Sequence, residues 1–264
     1  MLVLVAENDL SSRLIAQSIL QRDGYKVRMA SDGKNAIQLA LSSQFDVILL
    51  DIVMPSLGGL QTATHLKGLM GSDCMTATPL IALTAYDTPY DVDRCNRAGF
   101  DALIAKPLRK GDLSAALSGL QTTQATSLIK SAANSTDPSA LPLLDETVIR
   151  SGPGLADELT RERIWLSYRS SLSRALKDIA YNLPSSVEGD IKSTEAFRAA
   201  LHALRSASLT VGMNRAPYLA RELRFAGTEE LVPRTAELLQ TVKETLPLLN
   251  SVLMELSSAS ITSR

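Results

Sequence analysis

Four short apolar runs in the N-terminal half of the chain, each followed by a polar residue, constrain its fold more than any other feature. The runs span residues 2–6, 45–50, 79–83 and 102–105, and the polar residues that close them are Glu7, Asp51, Thr84 and Lys106. A further run, KVRMA, and helical patterns lie between them, so strand and helix alternate five times. Short, nearly continuous apolar runs are typical of strands buried on both faces. The sequence therefore predicts an α/β domain with a doubly wound, five-stranded parallel sheet.

The polar residues that end these runs predict a phosphoryl-transfer site. Ligands of open α/β sheets bind at the carboxyl ends of the strands. Asp51 precedes a loop containing Pro55, and we expect its carboxylate to be an exposed nucleophile. Glu7 is a candidate ligand for Mg²⁺, which binds through one or two carboxylates, waters and phosphate oxygens. Lys106 supplies a positive charge and Thr84 a hydroxyl donor for the phosphoryl oxygens.

Composition excludes several other classes of function. The chain has 264 residues and a net charge of −1, with Lys and Arg spread along its length, so nucleic-acid binding is not expected. It opens directly into a strand and contains no apolar run near the roughly 18 residues that span a bilayer, which predicts a soluble, cytoplasmic protein without membrane association. Cys74 and Cys95 are isolated and form neither a CxxC pair nor a disulfide framework.

The chain divides into three segments by composition. Residues 1–121 contain the strand and helix alternation, and residues 122–142 are rich in Ser, Thr, Ala and Pro, which is typical of a flexible linker. Residues 143–260 lack β-branched runs and carry long helical stripes, which predict a C-terminal all-α four-helix bundle.

Three stripes with helical spacing define the expected core of this bundle. They consist of Trp165, Tyr168, Leu172, Leu176, Ile179 and Leu183, then Phe197, Leu201, Leu204, Ser208 and Val211, and finally Leu238, Val242, Leu246, Leu249, Leu253 and Leu256. We expect Pro184 to end the first helix and Gly212 the second. Asn214 is expected to cap a shorter helix, and Pro247 to kink or divide the last one.

The segments VLVAEN, VILLDIVMP, ALTA and AKP together resemble the signature of a response-regulator receiver domain, the flavodoxin-like module of two-component signalling. The resemblance implies that Asp51 is the phosphoacceptor and that Glu7 belongs to an acidic pair that binds Mg²⁺. It also implies that Val53 offers a backbone carbonyl to the metal, and that Thr84 and Lys106 are the switch hydroxyl and the conserved lysine.

Two positions depart from the receiver pattern. Asn8 stands where the family has its second acid, so a neutral amide replaces a charged ligand and Mg²⁺ is expected to bind weakly. The neighbouring Asp9 is better placed to cap the first helix than to replace that acid. Leu103 occupies the position of the aromatic residue that moves on phosphorylation, so the usual aromatic switch is not expected.

A second candidate phosphoryl carrier lies in the helical segment HALRSASLTVG. His202 lies roughly 140° around the helix from the predicted core direction, so we expect an exposed imidazole. Arg205 and Ser206 follow on the same face, where the arginine reaches a phosphoryl oxygen and the small serine leaves room for a partner. The segment resembles the signature of histidine phosphotransfer domains, with Arg205 in place of the usual Lys and Ser206 in place of the usual Gly.

The combination predicts a phosphorelay protein that carries a phosphoryl group on Asp51 and on His202. No ATP-binding motif is present, so the phosphoryl source is expected to be another protein or another part of a hybrid sensor kinase. The expected partners are a histidine kinase and a further receiver or phosphotransfer protein. Two alternatives remain open at this point: a pseudo-receiver with an inactive bundle that acts as a binding scaffold, and a kinase-type dimerisation bundle.

Overall fold

The computed structural model describes residues 1–72, 74–85, 89–121, 141–150, 158–187 and 190–262. The chain forms two compact units, Met1–Ala132 and Ala133–Arg264. Each unit contains its own apolar core.

The first unit contains a five-stranded sheet in which every neighbouring pair of strands is parallel. Its strands are β1 (Leu2–Ala6), β2 (Lys26–Ala30), β3 (Val47–Asp51), β4 (Leu80–Thr84) and β5 (Ala102–Ala105). Their order is β2-β1-β3-β4-β5, so β1, β3 and β4 are interior strands and β2 and β5 form the edges. This order is the flavodoxin-like arrangement, and the α/β prediction is confirmed.

Five helices connect and cover these strands. They are α1 (Leu10–Arg22), α2 (Gly33–Ser42), α3 (Gly59–Gly71), α4 (Pro89–Ala98) and α5 (Asp112–Gln121). Alternate residues of the strands face opposite sides of the sheet, so Leu4 and Ile48 pack in one core while Val5 and Leu49 pack in the other. The sheet is therefore buried on both faces, as its continuous apolar runs predicted.

In the part of the second unit that the structure describes, the regular elements are all helices. It contains α6 (Glu146–Arg150), α7 (Glu158–Val187), α8 (Ile191–Thr210), α9 (Arg215–Leu223) and α10 (Thr228–Thr262). Helix α7 packs against α8 and α10, and α9 packs against α8 and α10. The three predicted stripes are buried or partly buried and form this core, apart from Leu256, whose side chain lies outside the description.

The prediction that Pro184 ends the first long helix is wrong, and of the two outcomes predicted for Pro247 the division of the helix does not occur, while a kink there stays a prediction. Helix α7 continues through Pro184 to Val187, so the proline lies in its last turn, three residues before the helix ends. Helix α10 likewise continues through Pro247 and is not divided. By contrast, α8 ends at Thr210, two residues before Gly212, which adopts a positive φ of 76°. Asn214 occupies the N-cap position of α9 but makes no capping side-chain bond there.

The segment that enters the second unit pairs with the turn between α8 and α9. Leu144 forms an isolated antiparallel bridge with Met213, and the Asp145 amide donates to the Gly212 carbonyl at 2.7 Å. A Cβ atom on Gly212 would lie 2.5 Å from the Asp145 carbonyl oxygen, so this close approach also requires glycine. Most of the predicted linker, residues 122–140, lies outside the described ranges.

Candidate functional site

The parallel sheet brings the four predicted strand-end residues to one edge. Asp51 and Thr84 are the last residues of β3 and β4, while Glu7 and Lys106 directly follow β1 and β5. Ladder pairing places Asp51 beside Leu83 and Thr84 beside Ala105. The backbone amide of Lys106 donates to the Thr84 carbonyl at 2.7 Å, which fixes the lysine at the end of its strand.

Lys106 joins the two carboxylates of this edge. Its Nζ lies 2.8 Å from Oδ2 of Asp51 and 2.5 Å from Oε2 of Glu7, and all three side chains are no more than 6% exposed. A buried charge requires a partner, because transfer of an unpaired ion from water into the protein is costly. Two acids and one amine therefore form a mutually dependent cluster with a net charge of −1 when both acids are ionised.

Burial also changes the acidity of the cluster. Desolvation and the negative charge of Asp51 raise the pKa of Glu7 to about 7, against the opposing effect of Lys106. Burial by itself lowers the pKa of Lys106, but the charges of Asp51 and Glu7 outweigh it, so the lysine pKa is raised and the amine stays protonated. The cluster therefore combines a lysine that stays protonated with a Glu7 carboxyl whose pKa is raised by burial.

The expectation that Asp51 is exposed is wrong, since only 1% of the residue is accessible. Asp51 belongs to the interior strand β3 itself, where it has ladder partners, and its Oδ2 faces Lys106. Its Oδ1 accepts a hydrogen bond from the Val53 amide at 3.2 Å. The carboxylate is thus held in one orientation from both sides.

Gly59, which was not predicted to have a role, also shapes this site. Helix α3 begins at Gly59, whose amide donates to the Ile52 carbonyl at 2.9 Å. A Cβ atom built on Gly59 would lie 2.1 Å from the Asp51 carbonyl oxygen, so only glycine allows this approach. The GG pair that follows the DIVMP segment is the sequence signal from which such a close contact could have been predicted.

The loop between β1 and α1 places Asn8 at the surface and Asp9 on the helix. Asn8 is exposed, whereas Asp9 caps α1 by accepting a 2.8 Å hydrogen bond from the Ser12 amide. The prediction that Asp9 caps the first helix is therefore confirmed. The Asp9 amide in turn donates to Oε1 of Glu7 at 3.0 Å.

The oxygen-rich edge fits a hard cation such as Mg²⁺ in its chemistry. The carboxylates of Glu7 and Asp51 meet there, and carboxylate oxygens are among the hard donors that Mg²⁺ prefers. Mg²⁺ retains several waters and needs only a few protein oxygens. Within the described ranges no three His, Cys, Asp or Glu side chains converge into a larger cation site.

The expectation that His202 is exposed is also wrong. Only 5% of His202 is accessible, and Arg205 and Ser206 are similarly buried. From Ala200 to Ser208 every residue of α8 except Ala203 is buried, so this stretch has no broad solvent face. A helical projection locates the strongest apolar stripe but does not reveal whether the opposite side is covered as well. Ser208 lies on the apolar side with Leu204, as predicted.

The other residues considered from sequence have ordinary surroundings. Leu103 is partly buried against the sheet core, and Trp165 stacks on Tyr168 at a ring separation of 5.5 Å. His65 is exposed on α3, Cys74 is exposed and Cys95 is buried. In the part of the chain that the structure describes, no helix combines the length and apolar composition needed to cross a bilayer.

Comparison with known proteins identifies the class of the first unit. The family model of the response regulator receiver domain matches residues 3–118. DivK, a polar-differentiation response regulator of Brucella anthropi, is 31% identical over 106 residues, which cover 40% of this chain and 83% of DivK. The chain therefore belongs to the response regulator receiver family, and its first unit is a receiver domain of two-component signalling.

Other relatives extend the comparison beyond this unit. RpfC, a sensory/regulatory protein of Xanthomonas campestris pv. campestris, is 25% identical over 248 residues, which cover 93% of this chain and 33% of RpfC. The chain thus spans about a third of that relative's length. A solved receiver domain of the histidine kinase CKI1 from Arabidopsis thaliana, complexed with Mg²⁺, is 25% identical over 45% of this chain and 90% of that chain, with a TM-score of 0.41.

Proposed function

We propose that this chain is a phosphorelay component in which Asp51 accepts a phosphoryl group from a partner phosphohistidine and His202 serves as a second carrier. The convergence of Glu7, Asp51, Thr84 and Lys106 at one sheet edge carries the first part of the proposal. The membership of residues 3–118 in the receiver family supports it. The expected partners are a histidine kinase and another receiver or phosphotransfer protein.

In the proposed reaction Asp51 displaces the donor from the phosphorus atom. A carboxylate oxygen of Asp51 forms the new P–O bond while the P–N bond of the donor phosphohistidine breaks, and the imidazole leaves with the electron pair. Lys106 neutralises charge on the incoming group, and the Thr84 hydroxyl donates to one of its oxygens. The bond between Asp51 Oδ1 and the Val53 amide orients the nucleophile.

Mg²⁺ would be held by Glu7, Asp51, the Asn8 amide oxygen and the Val53 carbonyl. When bound, it neutralises negative charge on the phosphoryl oxygens. Because Asn8 contributes no charge, the affinity is proposed to be weak, and Asn8→Asp is expected to tighten Mg²⁺ binding about tenfold. Equal affinities of the wild type and Asn8→Asp would contradict this explanation.

Phosphorylation with acetyl phosphate tests the receiver assignment. The wild type is expected to gain the mass of one phosphoryl group in the presence of Mg²⁺, whereas Asp51→Ala is not. Asp46→Ala is the matched control, because Asp46 is an exposed acid immediately before β3 whose Oδ2 accepts a hydrogen bond from the Leu2 amide. A wild type that gains no mass, or an adduct that persists in Asp51→Ala, would contradict the assignment of Asp51 as the phosphoryl acceptor.

The role of His202 is proposed on the phosphotransfer-like pattern of α8 and on its setting. Helices α7, α8, α9 and α10 pack in a closed cycle of neighbours, which supports a four-helix bundle. The alignment with RpfC, a sensory/regulatory protein, covers 93% of this chain and therefore extends through this unit, and part of the chain also matches the sensor histidine kinase AruS, which supports the proposed origin in a hybrid sensor kinase. Since His202 is buried, the proposal requires that its imidazole become accessible to a phosphorylated receiver.

Transfer from a separate, radiolabelled phospho-receiver tests this second carrier. In an Asp51→Ala background, which removes the competing acceptor, label is expected to reach the chain and to be lost in His202→Gln. His65→Gln is the matched control, because His65 is the other histidine of the sequence. Label that survives His202→Gln would exclude His202 as the carrier.

A protein-binding scaffold that carries no phosphoryl group is the second candidate function. Two observations favour it: Asn8 replaces the family's second acid, and the carriers Asp51 and His202 are both buried. The same two assays separate the candidates, because a scaffold would accept no label at either position.

A further inference from the structure

The β1–α1 loop that carries Glu7 and Asn8 is held by a side chain outside the predicted site. Nη1 of Arg13, in the first turns of α1, donates to the Glu7 carbonyl oxygen at 2.8 Å. The same nitrogen lies 3.5 Å from the Asn8 carbonyl oxygen, at the outer limit of a hydrogen bond. One guanidinium therefore faces the backbone of both residues that would contribute ligands from this loop.

The Arg13 contact completes a set of restraints on a three-residue loop. The Asp9 amide binds Oε1 of Glu7, Lys106 binds Oε2, and the Asp9 carboxylate caps α1 at Ser12. These bonds fix the Glu7 side chain and the start of the helix. Among these contacts, only that of Arg13 restrains the peptide carbonyls of Glu7 and Asn8 themselves.

We infer that Arg13 is a positioning residue for the divalent cation, and this inference depends on the cation site of the proposed function. Mg²⁺ demands near-ideal octahedral geometry, so a neutral amide ligand contributes only when its oxygen is correctly placed. Asn8 is exposed and its own side chain has no charge with which to attract the ion. Arg13 anchors the backbone from which that amide projects. It makes no direct contact with the metal, because a guanidinium is itself cationic.

A positioning role and a simple charge effect predict opposite changes in Mg²⁺ affinity when Arg13 is removed. A nearby positive charge repels a divalent cation, so removal of a merely adjacent arginine would tighten Mg²⁺ binding. Removal of a residue that orients the ligand loop weakens binding, typically by 10- to 100-fold for groups that support metal ligands. The sign of the change therefore distinguishes the two roles.

Calorimetric Mg²⁺ titration of the full chain tests the inference. The pH is kept above the raised pKa of Glu7, about 7, so that this carboxylate is ionised. Arg13→Ala is expected to raise the Mg²⁺ dissociation constant at least about tenfold. Arg13→Lys keeps the charge but not the planar fork and is expected to fall between Arg13→Ala and the wild type. Arg22→Ala, which removes an exposed arginine from the last turn of the same helix, is expected to leave the constant unchanged.

The thermal midpoint of each variant without Mg²⁺ separates positioning from a general loss of structure. A positioning role predicts that Arg13→Lys retains nearly the wild-type midpoint in the absence of the ion and gains less from added Mg²⁺. Unchanged or tighter binding in both Arg13 variants would overturn the inference while leaving the proposed function intact. A wild type that binds no Mg²⁺ would instead overturn the cation site and, with it, this role of Arg13.

Discussion

At the scale of single residues, Lys106 holds two buried carboxylates together. Lys106→Ala leaves Glu7 and Asp51 as adjacent buried acids, and loss of one partner from a buried ion cluster typically costs about 3 kcal/mol. Urea unfolding at neutral pH is expected to show a loss of this size. Lys110→Ala, an exposed lysine four residues further on, provides the control and is expected to change stability by less than about 0.5 kcal/mol. Equal stabilities of the two variants would contradict the stabilising role of Lys106 between the two carboxylates.

The raised pKa of Glu7 makes receiver stability depend on pH. A carboxyl that holds its proton more tightly in the folded state contributes stability below its unfolded pKa of 4.5, and that contribution is lost as the pH rises through about 7. In Mg²⁺-free buffer, the free energy of unfolding of the wild type is expected to fall across this window relative to Glu7→Gln, which stays neutral. Parallel curves for the two proteins would show that Glu7 does not titrate there.

Residue chemistry was predictable from the sequence, whereas residue exposure was not. Glu7, Asp51, Thr84 and Lys106 could be placed together because strand ends of a parallel sheet share one edge. The burial of Asp51 depends on the side chains of other strands, and that of His202 on whatever lies against the polar side of α8. Neither is encoded in the local pattern.

At the scale of elements, two glycines of helix α3 offer a matched comparison. A Cβ atom at Gly59 would collide with the Asp51 carbonyl, whereas one at Gly68 would have no neighbour within 4 Å. Gly68→Ala is expected to stabilise the receiver by about 0.5–1 kcal/mol, because alanine loses less conformational freedom in a helix. Gly59→Ala is expected to destabilise it and to slow phosphorylation by displacing Asp51.

Chemical denaturation combined with the acetyl phosphate assay measures both effects. If Gly59→Ala is as stable and as readily phosphorylated as Gly68→Ala, the close packing of α3 against the end of β3 does not constrain the site.

The buried faces of helices and strands were predictable from the periodicity of apolar residues. The points at which helices end were not predictable from proline alone. The stripes of α7, α8 and α10 were recognisable because each repeats with helical spacing over several turns. Helices α7 and α10 run through Pro184 and Pro247, and both pack against neighbouring helices, which is the main source of helix stability in proteins. The short helix α6 has too few residues to show a period, and it was not predicted.

At the scale of the whole molecule, the two units have separate cores, and in the second unit a segment before α6 packs against the turn between α8 and α9. Residues Leu141–Asp145 pair with the α8–α9 turn through the Leu144 bridge, the Asp145 amide and the Arg215 contact to the Leu141 carbonyl. A fragment of residues 141–264 is expected to unfold cooperatively. A fragment of residues 146–264 is expected to be less stable by about 2 kcal/mol, since several backbone hydrogen bonds are lost.

Trp165, the only tryptophan of the chain, lies in this unit and reports its unfolding by fluorescence. Identical urea midpoints for the two fragments would show that the entering segment does not stabilise the helical unit. Residues 141 and 142 of this segment were assigned to the end of the linker from composition, because contacts with a turn some 70 residues later leave no local signal.

The central claim, that Asp51 carries the phosphoryl group, is tested most directly by chemical trapping at peptide resolution. Hydroxylamine attacks an aspartyl phosphate at its acyl carbon, releases inorganic phosphate and leaves a hydroxamate on the same side chain. After incubation of the full chain with acetyl phosphate and Mg²⁺, mass spectrometry is expected to locate the hydroxamate on Asp51, and Asp51→Asn is expected to show none. A hydroxamate on Asp46 or Asp9, or no hydroxamate in a wild type that binds Mg²⁺, would contradict the claim.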